Sequence, residues 1–218
     1  MKQGVFITFE GSEGCGKSTQ IELLTRHLRG IGYRVRTLRE PGGTPIGEEI
    51  RHTLKHSKNN HAMTAEAELL LMNASRAQLV REVIRPALES GEIVVSDRFY
   101  DSTTAYQGYG RQLDLKMVQT IVDVAVGDTR PDLTLLLTVT PEISELRRAM
   151  RQSTMPFLRD RIEEADRAFF ERVEKGFAAI AAAEPERFRV LDASGSIEYV
   201  SDHIWQLVRP VLPKIGRW

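Results

Sequence analysis

One cysteine, Cys15, in 218 residues excludes an intrachain disulfide and makes a cytoplasmic setting the default expectation. Excess charge of either sign is also missing: 30 Lys and Arg stand against 30 Asp and Glu. A protein that coats nucleic acid needs surplus cations, so no nucleic-acid partner is expected, and any anionic ligand must meet a local basic cluster. No apolar run approaches about 18 residues, so no membrane span is expected. Met1 to Phe6 leads straight into a strand-like run without a charged leader and cleavage site, so no export signal is expected either. The histidines at 27, 52, 56, 61 and 203 are dispersed, and His52 and His56 lack the intervening acid of H-E-x-x-H, which argues against a metal hydrolase. There is no fixed-period repeat and no low-complexity segment.

What is present is an ordinary globular composition, 41% hydrophobic and 28% charged, in a length that fits a single domain over 1–218 with a small lid. Short apolar runs predict strands at 5–9, 33–38, 92–96, 133–139 and 188–191. Helical spacing predicts helices at 18–28, 46–54, 65–90, 116–126, 141–150, 163–183 and 197–212, with a kink or break at Pro86. Residues 56–62 read as polar loop and 152–158 as irregular. Strands alternating with helices give an α/β fold: a parallel five-stranded sheet flanked by helices in three layers.

Gly11-Ser12-Glu13-Gly14-Cys15-Gly16-Lys17-Ser18 matches G-x-x-x-x-G-K-[ST] in full, between a strand and a helix. This is the P-loop NTPase signature. Its backbone N–H groups turn toward phosphate oxygens, and the following helix adds its partial positive charge. Lys17 is expected on the β- and γ-phosphates and Ser18 on Mg²⁺, with Thr19 completing the ATP-binding stretch. Cys15 reads as a small side chain that lets the loop close.

The motif does not choose between ATPase, GTPase and kinase. Val94-Val95-Ser96-Asp97-Arg98 ends a strand whose C-terminus faces the ligand crevice. Asp97 can order the Mg²⁺ shell or accept a proton, and Arg98 beside it points to a second anion. Arg39, followed by Pro41-Gly42-Gly43, is placed at the same sheet edge, and Arg51 and Arg76 lie on segments that could close over it.

Together with the P-loop, Arg39-Glu40-Pro41-Gly42-Gly43-Thr44, Asp97-Arg98-Phe99, Ser102-Thr103, Ala105-Tyr106-Gln107-Gly108 and Asp160-Arg161-Ile162-Glu163 resemble the thymidylate kinase family over nearly the whole chain. That resemblance implies transfer of the γ-phosphoryl of ATP to dTMP, with Mg²⁺, in a homodimer. It implies that Arg98 clamps the dTMP phosphate, and that Arg39, Pro41 and Arg51 line the acceptor site. By the same resemblance Arg76 bonds and packs on the base, Thr103 and Gln107 read its polar edge, Tyr106 flanks the sugar, and Glu13 reaches the 3′-hydroxyl or the phosphate–metal surroundings. Met72 stands where the family usually has a stacking Phe, and Tyr109 where a small residue is common.

Some members of the family carry an Arg inside the P-loop, where this chain has Gly14. The missing cation is therefore assigned to a lid at about 147–161, rich in Arg147, Arg148, Arg151, Arg159 and Arg161. Arg151 is expected to deliver it with Arg159 or Arg161 assisting, Arg147 to lie on the ATP side, and the segment to move when nucleotide binds. Adenine contacts are placed near Ala193 and Ser194.

Three alternatives bear on the reading. An adenylate kinase would want Pro at Glu13 and another lid. A deoxynucleoside kinase would not need the Arg98 clamp. A nucleotide-binding switch without catalysis would not need Lys17, Ser18, Asp97 and Arg98 together.

Overall fold

The computed structural model describes residues 4–57, 59–154, 162 and 166–213, without the side chains of Arg148 and 151–154. Five strands, Val5–Glu10 (β1), Val35–Arg39 (β2), Ile93–Asp97 (β3), Leu133–Thr138 (β4) and Phe188–Asp192 (β5), form one sheet in the order β2-β3-β1-β4-β5. Every pairing is parallel, as the alternation of strands and helices predicts. The register sets Arg39, Asp97 and Phe9 side by side, so β2, β3 and β1 deliver their C-terminal ends to one edge.

The helices are Lys17–Gly30 (α1), Pro45–Lys55 (α2), Ala65–Leu79 (α3), Arg85–Glu89 (α4), Tyr100–Thr103 (α5), Leu115–Val126 (α6), Pro141–Thr154 (α7), Arg167–Ala183 (α8) and Ile197–Val208 (α9). Alternation along β1 explains how they pack. Val5, Ile7 and Phe9 join the core under α1 and α9, with Leu24, Leu28, Val200 and Ile204. Phe6 points the other way, into a core with Leu69, Leu79, Phe99, Val118 and Val122. Thr8 and Glu10 share the face of Phe6 and are fully buried, Thr8 against the hydroxyl of Thr134 at 2.8 Å.

The structure refines several expectations. The stretch 65–90 is interrupted by a π-helical turn, Val80–Ile84, in which the Arg85 N–H reaches back to the Val80 carbonyl. Pro86 explains it: its ring cannot sit over the carbonyl four residues back, and a wider turn relieves the clash. Asn60–Ala62 forms a 3₁₀ turn within the expected loop, and residues 209–211 close α9 as another. Residues 152–154, expected to be irregular, continue α7 up to two residues before Pro156. The rest of that irregular segment lies outside the described residues. Sequence reading also missed a helix: α5 runs into a π-helix, Thr104–Gly110, in a stretch where Gly108, Gly110 and paired threonines disfavour one.

Candidate active site

Helices α2, α3, α6, α8 and α9 each begin with a side chain accepting a backbone N–H: Thr44, Thr64, Asp114, Asp166 and Ser196. Helix α1 has no such cap and follows directly on Gly16, whose φ of +97° only glycine adopts without strain. Its first N–H groups therefore remain open to an anion, beside the loop of Gly11 to Gly16. Gly11 is equally constrained, since a Cβ would lie 2.2 Å from the Leu137 carbonyl oxygen. Lys17 folds back over this cradle, its Nζ donating to the carbonyls of Gly11 (3.0 Å) and Ser12 (2.9 Å) and to the Cys15 sulfur (3.6 Å). Burial, together with the positive charge of Arg98, lowers the Lys17 pKa.

The Ser18 hydroxyl donates to Asp97 Oδ2 at 3.3 Å, joining the first turn of α1 to the end of β3. The next residue, Arg98, holds a positive φ of 72° while its N–H bonds the Phe9 carbonyl at 2.9 Å. An L-residue there is strained, and such strain gathers at functional positions. The strain aims the guanidinium at α5 and the π-helix: it donates to Ser102 (3.0 Å) and to the Tyr106 hydroxyl (3.3 Å), and lies 5.0 Å from the centre of the Tyr106 ring.

Glu10, missed in the sequence, holds this turn from below. Its Oε1 accepts the Phe99 N–H at 2.8 Å and its Oε2 the Ser102 hydroxyl at 2.6 Å. Burial, then the nearby Asp101 charge, push its pKa up to about 7. Asp101 instead has a cation of its own, Arg187, at 2.7 and 2.8 Å.

Arg76 is buried and paired with Glu40 at 2.7 Å. Its Nε donates to Glu40, its Nη1 to Asn73 and Thr103, and its Nη2 to the Phe99 carbonyl, four hydrogen bonds in all. Gln107 donates to Glu68 at 2.7 Å. Met72, four residues from both Glu68 and Arg76 on α3, is half-buried between these two contacts. Arg39 pairs with Glu48 at 3.0 Å on the exposed rim, and Arg51 donates to the Pro41 carbonyl at 2.8 Å.

On the nucleotide side, the Ser144 hydroxyl of α7 donates to the Glu13 carbonyl at 2.6 Å, and Arg147 spans from near Gly16 to the Ala193 carbonyl at 3.1 Å. The P-loop is thus bracketed by α7. The Arg151 side chain, Arg159 and Arg161, expected in the lid, lie outside the described residues. Glu10, Glu68, Ser144 and Arg111 had no role in the sequence reading, because each acts through a partner far away in the chain. A buried acid one residue before the P-loop was the clearest available clue.

An uncapped helix behind a glycine loop, a hydroxyl and carboxylate beside it, and a strained arginine on the next strand define a P-loop phosphotransferase with a site for a second anion. The thymidylate kinase family model matches residues 9–204, and the chain belongs to that family. It is 50% identical over 194 residues to the thymidylate kinase of Chlorobaculum parvum, covering 87% of this chain and 88% of the relative. It is 47% identical over 210 residues to that of Deinococcus radiodurans, covering 95% and 98%. Its fold matches the crystal structure of thymidylate kinase from Ehrlichia chaffeensis with a TM-score of 0.75 at 32% identity, covering 94% of this chain and 98% of that one.

Proposed function

We propose that this chain is a dTMP kinase that moves the γ-phosphoryl of ATP to dTMP in one in-line step, the P-loop holding the donor and Arg98 the acceptor. The observation that carries the reading is the bond from the Arg98 N–H to the Phe9 carbonyl, which ties a guanidinium-bearing turn to the strand that enters the P-loop. Two anions brought end to end lose most of the entropic cost of meeting, and fixed cations offset their repulsion. The attacking group is a phosphate oxygen, already ionised at neutral pH because a phosphomonoester has its second pKa near about 6. No general base is needed, so Asp97 is assigned to the metal rather than to a proton.

The donor set at Ser18 and Asp97 fits Mg²⁺: one hydroxyl and one carboxylate, hard oxygens, with no cluster of three or more His, Cys, Asp or Glu among the described residues. Such an ion takes few protein ligands and fills its sphere with water and phosphate oxygens. Bound there, Mg²⁺ would neutralise charge on the β- and γ-phosphates. Lys17 turns its ammonium from the loop carbonyls to the phosphates. Arg147 lies over the base side of ATP, near Ala193. Arg151, with Arg159, is assigned the missing cation, and 1–218 is read as one kinase domain with its lid at about 147–161.

Met72, Arg76, Thr103 and Gln107 form the base pocket, Tyr106 flanks the sugar, and Pro41, Arg39, Arg51 and Glu13 bound the phosphate side. A homodimer is supported by apolar side chains left exposed on α3 and α6, Leu70, Met117 and Val124, and light scattering of the purified protein tests it. No helix among the described residues is long and apolar enough to cross a membrane, and we place the enzyme in the cytoplasm. Coupled ADP release with Mg·ATP and dTMP, dUMP, AMP, GMP or thymidine tests the reaction. Turnover with dTMP that is lost in Arg98→Ala is expected; equal turnover with AMP, or no loss in the variant, would refute it. Unchanged turnover in both Arg151→Ala and Arg159→Ala would refute the lid assignment.

A further inference from the structure

We propose that Glu68 sets the base specificity of the site, by fixing which end of the Gln107 carboxamide faces the substrate. The proposal rests on the reading that the acceptor base lies against Met72, Thr103 and Gln107.

Glu68, Met72 and Arg76 recur every four residues and so share one face of α3. That face meets α5 and the π-helix through two contacts, Glu68 with Gln107 and Arg76 with Thr103. Glu68 is fully buried and takes both Nε (3.3 Å) and Nη2 (3.1 Å) of Arg111, a two-pronged guanidinium contact that a carboxylate receives as an anion. An ionised carboxylate only accepts hydrogen bonds. Gln107 must therefore turn its NH₂ to Glu68, at 2.7 Å, because the opposite orientation would set oxygen against oxygen.

The Gln107 carbonyl oxygen is left over. It receives no hydrogen bond from any described residue, and among these the sealed side-chain polar atoms without a partner are on Gln20 and Glu40, so this oxygen opens to solvent-accessible space. It asks for a donor. Thr103 carries the complementary group: its oxygen accepts from Arg76, which leaves its hydroxyl proton to give. An acceptor beside a donor matches the ring N–H and adjacent carbonyl of thymine or uracil. Cytosine presents a bare ring nitrogen and an amino group, and opposes both. With Gln at position 68 the contact becomes reversible, since an amide serves either end of another amide.

The test compares kcat/KM for dTMP, dUMP and dCMP in the unmodified enzyme and in Glu68→Gln. A site built on paired hydrogen bonds rejects the mismatched base by on the order of 10⁴-fold. The variant is expected to lose at least about tenfold of its dTMP-over-dCMP preference, mostly through KM, with dTMP over dUMP unchanged because both carry the ring N–H. A folded variant that keeps its dTMP-over-dCMP preference overturns the assignment of Glu68 while leaving the reaction intact. An unmodified enzyme without turnover of dTMP overturns the reaction and this proposal together. Should Glu68→Gln not fold, the Gln107 side-chain amide protons in ¹⁵N spectra of the unmodified enzyme decide. The proton that bonds Glu68 is expected to stay protected from exchange when dTMP binds, and its transfer to the base would overturn the proposal.

Discussion

Ser102 donates to Glu10 across 2.6 Å with the same hydroxyl that accepts from Arg98, so a buried acid at the end of β1 sets the position of the guanidinium at the end of β3. Neither residue needs to touch substrate. The P-loop and Arg98, the proposed acceptor clamp, follow adjacent strands, and Glu10 is the residue through which the first strand supports the second.

That arrangement has a pH signature. The Glu10 pKa in the fold, about 7, lies above its ordinary 4.5 because burial and Asp101 disfavour the charge. Between those values the folded protein holds a proton that the unfolded chain has released. Stability therefore falls as pH rises from about 4.5 to 7, by on the order of 3 kcal/mol. Glu10→Gln keeps an acceptor for the Phe99 N–H and cannot ionise, so its melting temperature is expected to change less across pH 5 to 8. Parallel profiles for the two proteins would show that Glu10 is not the group responsible.

Arg98 combines a chemical and a conformational demand, and substitution separates them. Both Arg98→Ala and Arg98→Gly remove the cation and are expected to lower kcat/KM for dTMP by about 10²–10³-fold. They differ in stability, because φ is +72° at this position. Glycine accepts that value freely and alanine does not, so the glycine variant is expected to be the more stable by about 1 kcal/mol in denaturant melts. Equal stability would mean that the backbone relaxes once the side chain is gone.

Ser18 and Asp97 are assigned to Mg²⁺ by their contact at 3.3 Å. Chelation is expected to abolish turnover and added Mg²⁺ to restore it. Asp97→Asn keeps the shape and removes the charge, so the Mg²⁺ concentration for half-maximal rate is expected to rise about 10–100-fold, with recovery at saturating metal. An unchanged Mg²⁺ profile in the variant would remove Asp97 from the metal site.

The sequence shows the sheet because its strands are short apolar runs between helical patterns, and it shows the cradle because backbone geometry demands glycine at fixed positions. Lys17, Ser18, Asp97 and Arg98 were legible for the same reason: each follows directly from a strand or a motif. Glu10, Glu68 and Ser144 were not. Their partners lie 89 residues away at Phe99, 39 at Gln107 and 131 at Glu13, separations that only the folded chain closes. The helix over Tyr100–Gly110 was missed because local propensity opposes it. Tertiary packing against α8 and α3 supplies what propensity withholds.

Tyr109 looks out of place between two glycines, and the structure shows what makes room for it. Its ring lies over Gly176 in the middle of α8, where a Cβ would come within 2.8 Å of the ring carbon Cγ. Glycine inside a helix normally costs about 0.5–1 kcal/mol relative to alanine. Gly176→Ala alone therefore gains that amount from the helix but must push the ring aside, at about 1–3 kcal/mol for overpacking. A net loss is expected. In a Tyr109→Ala background the clash is gone, and the same Gly176→Ala change is expected to stabilise. Residues in contact couple in this way, and four urea melts measure the reversal of sign as an interaction energy. If Gly176→Ala had the same effect with and without Tyr109, the aromatic ring would not be the reason for the glycine.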